Sequence, residues 1–102
     1  MSMLHTVNKS PFERNALASC LNLAKKGSAV LLLEDGVFAA LANTTHSERV
    51  KAAAGDFKFY VLGPDVCARG LDEKNIMDNI EIVDYEGFVD LVAAHDNVQA
   101  WL

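Results

Sequence analysis

At 102 residues with 51% hydrophobic side chains, the chain can build one domain with a core, but it is small enough that partner subunits are expected. Nine Lys and Arg stand against 14 Asp and Glu, for a formal charge of −5, and the longest basic run is Lys25-Lys26. This argues against direct nucleic-acid binding, which relies on clustered cations neutralising phosphates.

The apolar runs Ala29–Leu33 and Val37–Ala42 are too short to span a bilayer. The opening Met-Ser-Met-Leu-His-Thr has neither the charged n-region nor the apolar h-region of a secretory signal. A cytoplasmic chain is therefore expected. Cys20 and Cys67, 47 positions apart, have no metal-ligand or C-x-x-C spacing, and in a reducing compartment each is expected to be a free thiol.

Met3–Val7 is a predicted strand. In Ser10-Pro11-Phe12-Glu13, Ser10 suits an N-cap, Pro11 the first helical position and Glu13 the reciprocal place of a capping box. A helix is expected from Pro11 to Lys26. Gly27 would end it, with Lys25 and Lys26 at the negative end of the dipole. Ala29–Leu33 is apolar without alternation, as in a strand covered on both faces and hence in a parallel sheet.

Glu34-Asp35-Gly36 breaks that strand, and Val37–Ala42 reads as a short helix. Asn43–Ser47 is polar loop, and Glu48–Ala54 is a further helix closed by Gly55. Phe57–Leu62 is the third strand, stopped by Gly63-Pro64, after which Asp65 can cap one turn reaching Arg69-Gly70. Ile80–Val83 is the fourth strand, Tyr85–His95 a helix and Val98–Leu102 a short terminal strand. This alternation implies a single α/β domain over residues 1–102, an open, mostly parallel five-stranded sheet with right-handed crossovers and helices on both faces. The expected strand order is the flavodoxin-like 2-1-3-4-5.

On a helical wheel Phe12, Ala16, Leu17, Cys20, Leu21, Leu23 and Ala24 share one arc, with Cys20 near its middle. Such a thiol is either a small core residue or a nucleophile in a dry pocket. A nucleophile needs a cation, a helix N-terminus or a base beside it. Cys20 lies beyond the first turn, out of reach of the dipole.

One distant partner is arguable. The helix must run back along the first strand, which brings Cys20 level with Met3–His5. An imidazole then neighbours the thiol if the strand's alternation turns His5 that way.

In the expected strand order the ligand crevice falls between strands 1 and 3, which favours the loops Asn8–Ser10 and Gly63–Cys67. Position thus makes Cys67 a better candidate than Cys20, although no base is visible beside it. The start at Ser10 lacks the glycines of a phosphate cradle, Glu34-Asp35-Gly36 suits a solvated turn, and His5, His46 and His95 share no metal spacing. Tyr85 and Trp101 place aromatic surface near the end of the chain, where an exposed apolar patch would mark a subunit contact.

Several segments together resemble the DsrH/TusB family in collinear order: Met3-Leu4-His5-Thr6-Val7 with Ser10-Pro11, Leu31-Leu32-Leu33-Glu34-Asp35-Gly36-Val37 with Ala39-Ala40, Tyr60-Val61-Leu62 with Asp65, Ala68-Arg69-Gly70-Leu71, Ile82-Val83-Asp84-Tyr85 with Gly87-Phe88-Val89, and Gln99-Ala100-Trp101. The resemblance implies a subunit of a DsrEFH- or TusBCD-type heterohexamer that passes persulfide sulfur between cysteines. The implied partners are DsrE/TusD-like and DsrF/TusC-like sister chains and a DsrC/TusE-like carrier, with no metal or organic cofactor.

Cys20 matches the cysteine that marks DsrH-type members. It is accordingly the candidate persulfide site, and its presence favours cytoplasmic sulfur oxidation over the TusB branch's 2-thiolation of the tRNA wobble uridine. The principal active cysteine is implied on the DsrE/TusD-like sister chain, after its third strand. Cys67 falls in that region, but its offset from Arg69-Gly70 is too short for the role to be transferred. The alternatives are a non-catalytic interaction subunit in which Cys20 fills core, and a monomeric receiver or small-ligand domain.

Overall fold

The computed structural model describes residues 3–101. Five strands, β1 (Met3–Val7), β2 (Ala29–Leu32), β3 (Lys58–Leu62), β4 (Ile80–Val83) and β5 (Asn97–Trp101), alternate with helices α1 (Ala16–Leu23), α2 (Ser47–Ala53), α3 (Gly63–Ala68) and α4 (Tyr85–Ala94). Two 3₁₀ segments, Glu34–Ala40 and Glu73–Asn75, complete the chain. Every strand pair is parallel.

The strand order is β4-β3-β2-β1-β5, which corrects the expected 2-1-3-4-5. Each of the first three crossovers steps in the same direction, and only the last jumps back, placing β5 beside β1. Right-handed crossovers in one direction put their helices on one face, and the reversed crossover puts α4 on the other. The side chains follow this. Val7, Val30, Leu32, Phe59 and Val61 pack with Ala16, Leu17, Cys20, Val50 and Val66 on one face, whereas Leu4, Ala29, Leu31 and Tyr60 meet Phe88 and Leu91 of α4 on the other. β2 is buried at every position, as its unbroken apolar run requires.

The helical boundaries differ most at the start. Ser10 Oγ accepts from Phe12 N at 3.2 Å, and Ser10 O accepts from the amides of Glu13 and Arg14. The Ser10-Pro11 motif thus closes a turn, and α1 begins only after Asn15, which makes no side-chain cap. Ala24 turns extended and its N–H bonds Cys20 O, ending α1 before Lys25. Gly27, at φ +91°, therefore lies in the following turn.

Phe12 and Leu23, assigned to the apolar arc, are 55% and 75% exposed; Phe12 precedes the shortened helix and Leu23 is its last residue. The helix expected at Val37–Ala42 is the 3₁₀ segment from Glu34. The turn expected from Asp65 is α3, which follows β3 without a loop, with Pro64 in its first turn. The final residue of the expected Val98–Leu102 strand lies outside the described residues, and β5 starts one residue earlier.

Candidate functional site

Cys20 sits on the buried side of α1 with no exposed surface, among Val7, Leu17, Val30 and their neighbours. Burial disfavours the charged thiolate, so its pKa is pushed up to about 12.

His5 does face α1. It lines a cavity of about 430 Å³ with Leu23, Ala24 and Trp101, and only 2% of its surface is exposed. The conditional pairing with Cys20 is nonetheless not made. Trp101 Nε1–H donates to His5 Nδ1 at 3.0 Å, and His5 Nε2 is buried without a hydrogen-bond partner among the described residues. A donor at Nδ1 places the imidazole's own proton on Nε2. β5 brings in this partner, since Val7 is in register with Trp101 and His5 with Gln99, and the expected order had put a different strand beside β1.

Desolvation lowers the His5 pKa from its ordinary 6.5. Below that pH the unfolded chain binds more protons than the folded one, so stability must fall as pH falls. Urea midpoints at pH 7.5 and 5 are expected to drop further in wild type than in His5→Phe, with a slope difference of at most about 1.4 kcal/mol per pH unit for one proton. Parallel profiles would show that His5 does not titrate in this way.

Cys67 is exposed on α3, at the carboxyl end of β3. It lines an open groove of about 550 Å³ with Gly63, Pro64 and Ile82, and the acidic residues of that groove are Glu73 and Asp84. Carboxylates do not activate a thiol. The observed order also moves the topological reversal to β1 and β5, so the positional argument for Cys67 fails.

Glu34-Asp35-Gly36 serves the fold. Asp65 Oδ2 accepts from Glu34 N at 2.6 Å, and Arg69 Nε donates to Asp35 Oδ1 at 2.9 Å. These bonds tie the 3₁₀ segment to α3 and hold Glu34 at φ +50°. The histidines have separate partners: His46 packs edge-on against Phe12, and His95 Nδ1 lies 2.6 Å from Leu91 O. Among the described residues no cluster of three His, Cys, Asp or Glu could hold a metal, and no helix is long and apolar enough to cross a membrane.

An all-parallel five-stranded sheet that reverses direction only at its last strand, with α4 alone on one face, defines a class of small α/β proteins already seen in solved structures. The crystal structure of the ychN protein from E. coli superposes with a TM-score of 0.84 over 98% of both chains at 16% identity, a likeness of fold. Family and sequence go further. Residues 9–98 match the model of the DsrH like protein family. The chain is 41% identical over 99 residues to Protein TusB of Pectobacterium parmentieri and 38% identical to Protein TusB of Escherichia coli K12, covering 97% of this chain and all of each relative. The chain belongs to the DsrH/TusB family.

Proposed function

We propose that this chain is a TusB-like, largely architectural subunit of a cytoplasmic sulfur-relay hetero-oligomer. It assembles with TusC- and TusD-like sister chains, serves a TusE-like carrier and supports 2-thiolation of the wobble uridine in certain tRNAs. The observation that carries this reading is the 41% and 38% identity, over nearly the full length, to two proteins named TusB. It gives the tRNA branch precedence over the sulfur-oxidation branch, whose support in the sequence was Cys20 alone.

The state of Cys20 supports an architectural role. A persulfide relay needs a thiolate that reaches an outer sulfur. Burial pushes the Cys20 thiol pKa up to about 12, far above neutral pH, so the thiolate is disfavoured, and its sulfur is sealed in the core. The sulfur-accepting thiol of the assembly then belongs to a sister chain, and relay through Cys20 would require α1 to open.

The test is complementation of a bacterium lacking its own TusB, with 2-thiouridine measured by mass spectrometry of digested tRNA. Wild type and Cys20→Ala are both expected to restore thiolation. Failure of the well-folded wild type in a strain that also expresses its cognate sister chains would overturn the tRNA reading. Restoration by wild type but not by a Cys20→Ala chain that still enters the complex would make Cys20 part of the relay.

A further inference from the structure

The last crossover leaves a face that the fold itself does not cover. On α4, Phe88 and Leu91 turn to the sheet, whereas Tyr85, Val89 and Val92 stand 60%, 63% and 40% exposed. Their i, i+4, i+7 spacing makes one stripe along the helix. Val98, in register with the inward Leu4, lies on the same side of the sheet and is 47% exposed. No residue of α4 is buried.

The formal charges on α4 itself are all acidic. Every Lys and Arg of the chain precedes Asn75, and the segment beyond it carries Asp78, Glu81, Asp84, Glu86, Asp90 and Asp96. Glu86 and Asp90 are exposed on α4 itself, one turn apart beside Val89. Lys58, on β3, shares this face of the sheet, and its ammonium lies 5.5 Å from the Tyr60 ring centroid.

We propose that the α4 stripe is a docking surface for a different protein whose contact is an apolar stripe edged by Lys and Arg. A large exposed apolar stripe marks a contact site, and the acidic rim selects among possible occupants. A second copy meeting α4 to α4 would set carboxylate against carboxylate, and nucleic acid or an anionic membrane would be repelled. Only a basic-edged partner gains from both the stripe and its rim.

Two synthetic amphipathic helices with the same leucine stripe, one edged with Lys and one with Glu, test it against ¹⁵N-labelled chain. The Lys-edged peptide is expected to give saturable shifts centred on α4 and β5, and the Glu-edged peptide none there. Affinity should fall about tenfold or more in Val89→Ser and in Glu86→Lys/Asp90→Lys. It should hold within about twofold in Glu13→Lys/Glu48→Lys, which makes the same change in net charge on the opposite face.

Shifts elsewhere, equal response to both peptides, or equal loss in both charge variants would overturn the proposal. So would a wild-type dimer that Val89→Asp splits. Co-purification with TusC- and TusD-like chains is a separate measurement: its absence in wild type counts against the relay reading and leaves the peptide result to decide the surface.

Discussion

Replacing Gly36 with Ala is expected to abolish the native fold, or to lower its stability by about 3–5 kcal/mol, the range of the most damaging single substitutions. The cause is a close approach of two backbones. A Cβ at Gly36 would be driven into the Val7 carbonyl oxygen and would stand 2.9 Å from its carbonyl carbon. Val7 cannot yield, because its oxygen accepts from Leu33 N at 3.1 Å and its residue pairs with Leu32 on one side and Trp101 on the other. Urea denaturation followed by circular dichroism reads the effect. Gly55→Ala is the control, since a Cβ there meets nothing within 4 Å and its cost should stay below about 1 kcal/mol. Equal midpoints for the two variants would show that the 3₁₀ segment is free to withdraw from β1.

The second large effect separates the two thiols. Under native conditions at pH 7.5 a maleimide is expected to label Cys67 and leave Cys20 untouched, with rates differing by a factor of about 10³ or more. In guanidinium chloride both should react at similar rates. Cys67 is exposed, whereas Cys20 has neither accessible surface nor a thiolate at this pH. Labelling of Cys67→Ser isolates the buried site, so any slow reaction reports opening of α1. Rapid native labelling of that variant would place Cys20 back among usable nucleophiles and return weight to the sulfur-oxidation branch.

The central strands β2 and β3 were legible as short, largely apolar runs between breakers, and β2 carried its double-sided burial openly in Ala29–Leu32. The helix starting at Pro11 was not. Ser10-Pro11-Phe12-Glu13 has the residue types of a capping box, but the same Ser Oγ satisfies a nearby amide in a tight turn, and local pattern does not decide between them. Strand order was lost for a different reason: period and composition report which segments are strands, not where the crossovers change direction.

That single error had two effects on the candidate site. It placed the crevice beside Cys67, and it hid Trp101 from His5, leaving Cys20 as the imagined partner of the imidazole. Alternation along β1 still turned His5 to the correct face. The lone tryptophan at the end of a terminal strand was the one available hint that something near β1 needed a polar-tipped aromatic cover.

The pairing of β1 with β5 also bears on how the molecule comes into being. β1 finds one of its two neighbours only in β5, with Met3 opposite Asn97 and Val7 opposite Trp101. A chain emerging from the ribosome can join β1 through β4, yet one side of β1 stays an open edge until Asn97–Trp101 has been made and has cleared the exit tunnel. Closing so long a loop comes late and slowly. Nascent chains stalled before Asn97 should therefore be the species that chaperones hold and that self-associate along β1.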